Sequence, residues 1–283
     1  LKVYDVPIVY FPIFFHPDPS VVRQSGFLKP VWSNSDTLGR SLYTPYFHVI
    51  AKDKDLTFKP KFFVEDKFVG QFEFRDVNKN SSTIADFGTV FGHDSSKFEE
   101  GDTRSYFFAQ HDASLDWENF ISSSLKLGVQ KTTNDTFLKV FKLESPLLGD
   151  SEFASTHSYL NINLEHEEYD FKNTLDIYEN LGGHNSDRYQ YVFPNYSFSK
   201  ILDFRKDKGS NLTFNHGGYH SISNTNVKDT SLTNSLMYDS ETFYNDLGFT
   251  SNFNIFLNNE NNHGENSTTF RHKPFHELVT SYM

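Results

Sequence analysis

Residues 121–130 read ISSSLKLGVQ, a stretch in which apolar and polar side chains alternate. In an extended chain, successive side chains point to opposite faces, so Leu125 and Leu127 share one side and Lys126 and Gln130 the other. This period of two is typical of a β-strand with one apolar and one polar face. The stretch therefore predicts a strand that borders two different environments.

The same alternation recurs at 160–165 and 247–258, with polar, turn-prone segments between the runs. The runs are about ten residues long, which exceeds the usual soluble strand of about 5–6 and suits a tilted strand crossing a bilayer. No stretch approaches the ~18 apolar residues of a membrane-spanning helix. If the chain spans a membrane, it must form a closed barrel, because lipid offers no hydrogen-bond partner to unpaired backbone groups. We expect an all-β, transmembrane antiparallel β-barrel, with on the order of ten strands of a larger barrel in this chain.

Composition agrees with that architecture. The 283 residues include 31 Phe and 15 Tyr, yet only 37% are hydrophobic and the mean hydropathy is −0.56. Many rings with few aliphatic side chains suit a barrel with aromatic bands outside and a polar lumen. The net charge of −11 argues against nucleic acid, which needs a basic face. With no Cys, this stretch has no disulfide or thiolate site.

Proline divides the chain near Arg23. Four of the ten prolines fall within residues 1–22, where they favour edges and turns because proline cannot donate to a sheet ladder. We therefore expect a proline-rich lead-in over 1–22 and barrel strands over 23–283. The chain opens with Leu1 rather than Met, and we expect both ends of a natural protein to lie beyond it.

Four ordered segments resemble the barrel start of the lipopolysaccharide-assembly family LptD, also called the organic-solvent-tolerance family. They are 6–12, 23–30, 44–47 and 51–60, which are similar to the family's "PVxYxP", "RxSGFLxP", "PYY" and "APxxDxTxxP". Segments 134–141 and 188–198 resemble two later family segments, the second in its alphaproteobacterial form. Lys52 and the run Glu65-Asp66-Lys67 depart from the family pattern. The matching positions are Pro7, Tyr10, Pro12, Arg23, Ser25, Gly26, Phe27, Leu28, Gly39, Tyr46, Asp55, Thr57 and Pro60.

The resemblance implies a role in cell-envelope biogenesis in the Gram-negative outer membrane. It implies that 1–22 end a periplasmic β-jellyroll and that the barrel inserts lipopolysaccharide sideways into the outer leaflet. The exit would be a lateral gate between the first and last strands. Implied partners are lipopolysaccharide, an LptE-like plug lipoprotein, an LptA-like periplasmic bridge and the barrel-assembly machinery. No cofactor or enzymatic activity is implied.

Pro30 and Pro45 match family prolines at that gate. Each removes one donor from the first hairpin and would weaken the seam by roughly 1 kcal/mol per lost bond. The alternative is that they only end strands at a turn. Gly26 and Gly39 are predicted to be bulge or turn positions.

Other clusters point less clearly to chemistry. Glu165-His166-Glu167-Glu168 could offer metal ligands, but alternate residues of a strand face opposite ways and the spacing matches no known ligand set. His93-Asp94 and His111-Asp112 could belong to a hydrolase, but no G-x-S-x-G elbow accompanies them. We therefore predict no catalytic residue and no metal site.

Two further classes of protein would show the same alternation of apolar and polar residues. A generic outer-membrane porin or barrel enzyme would not need the proline-rich lead-in. A soluble carbohydrate-binding β protein would have shorter strands and would fold in plain buffer.

Overall fold

The computed structural model shows an almost entirely β protein. It describes residues 2–3, 6–7, 23–35, 38–64, 68–91, 104–141, 143–148, 154–182, 188–202, 209–264 and 267–282.

Two short strands lie outside the main sheet and pair with each other, β1 (Lys2–Val3) and β2 (Val6–Pro7). The other strands form one antiparallel sheet in chain order: β3 (Gly26–Phe27), β4 (Val31–Ser35), β5 (Gly39–Tyr43), β6 (Tyr46–Val49), β7 (Lys54–Phe63), β8 (Phe68–Val77), β9 (Ser81–Phe91), β10 (Ser105–Ser114), β11 (Ser122–Thr132), β12 (Ser155–Glu165), β13 (Tyr169–Asn180), β14 (Tyr189–Leu202), β15 (Asn211–Ser223), β16 (Lys228–Asp239), β17 (Phe243–Tyr244), β18 (Phe249–Gly264) and β19 (Ser267–Tyr282).

This sheet curls into a barrel in which the last strand, β19, comes next to the first, β3. Residue-to-residue registers connect the strands from the first hairpin to β19. Within the described ranges, no such register joins β19 to β3 or β4. The predicted all-β barrel is confirmed. The described residues form seventeen strands of the barrel, whereas on the order of ten were expected, partly because the first two traversals are each broken into two short strands.

The two faces of the sheet differ as the alternation predicted. Phe72, Phe87 and Phe107 lie in register on three neighbouring strands, and each ring is 40–46% exposed. Gln71 and Asp86 belong to the opposite face and are buried. Because large apolar rings are exposed on the first face and polar side chains are covered on the second, the first face is the outside of the barrel.

A segment after β11 folds back against the inner face. Its helix α1 (Phe137–Phe141) buries Phe137 and Phe141 among inward residues of several strands, including Phe63 and Tyr106. Lys61 donates to the Phe141 carbonyl at 3.1 Å, which pins the end of the helix to β7. The part of the chain that the structure describes contains no helix long and apolar enough to cross a membrane.

Two inward tyrosines fit over glycines of the neighbouring strand. Tyr106 pairs in register with Gly88, and Tyr159 pairs with Gly128. A Cβ at either glycine would overlap the tyrosine ring. The Tyr106 ring cannot easily move aside, because it is only 1% exposed and packs against Phe108 at 4.7 Å. Close packing of this ring therefore requires glycine at position 88.

We predict that Gly88→Ala destabilises the folded barrel by about 1–3 kcal/mol through overpacking. Urea unfolding of the detergent-refolded chain, followed by tyrosine and tryptophan fluorescence, measures the change. Gly182→Ala is the matched control, because an added Cβ there meets only the Asn180 amide oxygen at 3.8 Å. Equal stability of the two variants would contradict the proposed fit.

Candidate functional site

The first two barrel traversals are interrupted at their prolines. Pro30 stands between β3 and β4, and Pro45 between β5 and β6. The register pairs Phe27 with Tyr46 below the break and Val31 with Tyr43 above it. Between these pairs, the backbone N–H of Leu28 donates to the Pro45 carbonyl at 2.8 Å. The hairpin is therefore held as two short ladders joined by a loosely paired centre.

The third traversal bridges this interruption. Strand β7 is continuous and pairs with both β5 and β6. Its Pro60 carbonyl accepts the N–H of Thr44 at 3.2 Å, directly beside Pro45. Pro30, Pro45 and Pro60 thus lie at one level of the sheet in three neighbouring traversals.

The lead-in to β3 is tied to the barrel by two motif residues. The Arg23 guanidinium forms an ion pair with Asp55, whose side chain is only 4% exposed, and lies 5.5 Å from the Phe47 ring centre. The Ser25 hydroxyl accepts the backbone N–H of Val49 at 2.9 Å. These contacts fix where the chain enters the first strand.

Most of the predicted motif positions therefore come together in the first three traversals. Phe27 and Tyr46 make an edge-to-face contact at 5.0 Å, and Thr57 is buried on the inner face. Gly39 has φ +69° where β5 begins, a backbone conformation that favours glycine, whereas Gly26 begins β3 without such a backbone. Pro7 lies apart in β2, and Tyr10 and Pro12 fall outside the described residues.

The candidate catalytic and metal-binding residues that the structure describes do not come together in one site. His111 and Asp112 are neighbours in β10 and point to opposite faces, towards Thr83 and Gln110 respectively. His93 and Asp94 lie outside the described residues. Glu165 ends β12, and His166 stacks on Tyr169 at 4.6 Å.

An ion pair that sequence reasoning missed joins the two later motif segments. Arg188 donates two hydrogen bonds to Asp135, at 2.6 and 3.0 Å, and a third to Glu179 at 2.8 Å. The bonds to Asp135 are the main cause that raises the pKa of Arg188 above its usual range. Lys131 completes the cluster through Glu179. Asp135 lies two residues before the start of α1, so this cluster anchors the in-folded segment to β13 and β14.

We predict that Asp55→Asn exposes the tryptic site at Arg23–Gln24. Cleavage should become roughly two- to fivefold faster, as expected for loss of a partly screened ion pair. N-terminal sequencing of timed digests measures the rate, since Lys29 is protected by the following Pro30. Asp76→Asn, which removes the more exposed pair of Asp76 with Lys54, is the control. Equal cleavage in both variants would show that Asp55 does not hold the lead-in.

Sequence comparison identifies curated relatives that share one name. The "LPS-assembly protein LptD" of Pseudomonas entomophila is 35% identical over 96 residues, which cover 34% of this chain and 10% of the relative. The proteins of the same name from Pseudomonas fluorescens and Pseudomonas aeruginosa are each 34% identical, over 94 and 84 residues. The matched part thus spans about a tenth of these relatives' length.

No family model matches the chain. A solved structure described as a "Bacterial polysaccharide outer membrane secretin" covers 86% of this chain and 90% of its own, at 10% identity. Its TM-score is 0.28, too low to support an inference. The motif-based prediction is nevertheless confirmed by the curated relatives: over about a third of its length, this chain is homologous to proteins named LPS-assembly protein LptD.

Proposed function

We propose that this chain forms part of the barrel of an outer-membrane translocon that inserts lipopolysaccharide into the outer leaflet. The interrupted first hairpin is the observation that carries the proposal. It combines the ordered motif residues with an interrupted backbone ladder, at the strand next to β19. The relatives named for LPS assembly supply the substrate class.

The lengths of the connections between strands indicate which end of the barrel faces the outside of the cell. The two longest stretches between consecutive strands, 92–104 and 133–154, follow the ends of β9 and β11, which lie at the same end of the barrel, whereas β3 begins at the opposite end. Outer-membrane barrels place long loops outside the cell and short turns in the periplasm. We call the end with the long loops the outer rim and the end with the lead-in the inner rim.

Prolines at this level would let the seam open without unfolding the barrel. Each proline removes one ladder donor, with a net effect of roughly 1 kcal/mol per bond. Pro30 and Pro45 act on the first two strands, whereas β7 keeps its pairing on both sides. A lateral gate between the first and last barrel strands would therefore adjoin two traversals with interrupted backbone pairing, followed by a third strand whose pairing is continuous.

The partners follow from the same proposal. Lipopolysaccharide would come from an LptA-like bridge at the inner rim, where residues 1–22 would end a periplasmic domain. The anchoring of Arg23 at the start of the barrel supports that boundary. An LptE-like lipoprotein would occupy the polar lumen, and the barrel-assembly machinery would insert the protein. The proposed role is transport, with no catalytic residue.

A hybrid tests the proposal. Residues 23–91 of this chain replace the matching strands of the Pseudomonas aeruginosa relative, in cells depleted of their own copy. We predict that the hybrid restores surface lipopolysaccharide and exclusion of large hydrophobic antibiotics. Pro30→Ala with Pro45→Ala should lower both, because the restored donors tighten the seam.

Val31→Ala is the control for that hybrid, because it shortens an exposed side chain of the same strand without adding a donor. If the double proline variant transports lipopolysaccharide as well as this control, the proposed lateral gate is contradicted. A hybrid that assembles but delivers no lipopolysaccharide would contradict the translocon assignment itself.

A further inference from the structure

Five rings form a connected cluster at the inner rim. Trp117 lies 5.9 Å from Phe120, which makes edge-to-face contacts with His166 at 5.9 Å and Tyr169 at 6.1 Å. Tyr169 continues the chain of contacts to Phe198 at 6.0 Å. We call these residues the inner-rim ring cluster. It joins two turns, 115–121 and 166–168, to β13 and β14.

The cluster belongs to the outside of the barrel. Phe198 pairs in register with Phe171, which pairs with Leu164 on the apolar face. Trp117 is 48% exposed, and the adjoining Ile121 is 65% exposed. Amphipathic rings at such a level are typical of the boundary between hydrocarbon and headgroups.

The charge beside the cluster is mainly acidic, and among the described residues the one cation in register with its rings is Lys200, which pairs with Tyr169. Residues 115–121 and 165–170 contain no Lys or Arg, and their acidic residues are Asp116, Glu118, Glu165, Glu167, Glu168 and Asp170. Two of these carboxylates are engaged locally: Asp116 with Asn80 and Ser114, and Glu165 with Ser122. Glu118, Glu167 and Glu168 are exposed beside the rings. By contrast, the ion cluster near the outer rim contains two cations, Lys131 and Arg188.

We infer that the inner-rim ring cluster binds the ammonium headgroup of phosphatidylethanolamine in the inner leaflet. Ring faces attract a cation within about 6 Å, most strongly for Trp and Tyr. Exposed carboxylates at the same level attract the ammonium group and repel a lipid with net negative charge. The inference rests on the proposed insertion of the barrel in the outer membrane and adds the lipid that the inner rim selects.

The two tryptophans of the chain make the test local. Trp32→Phe leaves Trp117 as the only tryptophan reporter, and Trp117→Phe leaves Trp32, which is 74% exposed on the first traversal. Each full chain is refolded in detergent and reconstituted into vesicles that mix phosphatidylethanolamine with phosphatidylglycerol. One lipid at a time carries bromine, which quenches a neighbouring tryptophan, so quenching reports which headgroup occupies the contact.

We expect brominated phosphatidylethanolamine to occupy the Trp117 contact roughly fivefold more than phosphatidylglycerol at equal amounts. Glu118→Gln, Glu167→Gln and Glu168→Gln together should bring that ratio close to one. The Trp32 reporter, away from these carboxylates, should show little preference in either background.

The outcomes separate this inference from the proposed function. Quenching of Trp117 without headgroup preference would overturn the inference and leave the barrel in the membrane. A preference that survives the triple substitution would also overturn it, because the total charge of −11 would then be the cause. Absence of quenching of both tryptophans by every brominated lipid would contradict membrane insertion and the inference together.

Discussion

Backbone hydrogen bonding in a medium without water is the constraint on which this structure depends. Lipid offers no partner to an N–H or C=O group, so a spanning sheet must pair its strands continuously and avoid free edges. Apart from the two-residue β17, the strands from β7 to β19 meet that requirement through antiparallel registers over about ten to sixteen residues each. Because such strands alternate their side chains, the same ladder separates an apolar outer face from a polar inner one. The period of two in the sequence is thus a direct consequence of the solvent on each side.

The first hairpin is where that constraint is relaxed. Its ladders stop at Pro30 and Pro45, while β7 stays continuous behind them. The lead-in is nevertheless firmly held, since Arg23 and Ser25 contact Asp55 and Val49 at the inner rim. A fixed entry point beside a poorly paired centre is the arrangement that a seam needs if it is to part without loss of the barrel. The in-folded segment around α1 adds support further round, because it packs against inward residues of β7 to β10.

The elements predicted from sequence are those in which local pattern and environment coincide. The alternation at Leu125, Lys126 and Leu127 places β11 with its correct faces, and the turn at Gly39 follows from the motif. Contacts between residues far apart in the sequence could not be predicted. The fit of Tyr106 over Gly88 depends on the register of two strands, which a single sequence does not encode locally. Likewise, Asp135 and Arg188 are separated by 53 positions, and no spacing rule relates two charges that meet only after β12 and β13 have formed. The helix α1 was missed because five residues are too few to show a helical period.

In this structure, alternate residues of one strand face lipid and a polar lumen. Since the chain has no native Cys, single cysteines can be placed along β11 from Ser124 to Gln130, with Gly128 left out because a side chain there would overlap the Tyr159 ring. Each variant, reconstituted in vesicles, is labelled with a water-soluble maleimide and with a lipid-soluble one. We expect positions 124, 126 and 130 to react with the water-soluble reagent and positions 125, 127 and 129 to react only with the lipid-soluble one. Uniform reaction with the water-soluble reagent along the strand would contradict the barrel and everything built on it.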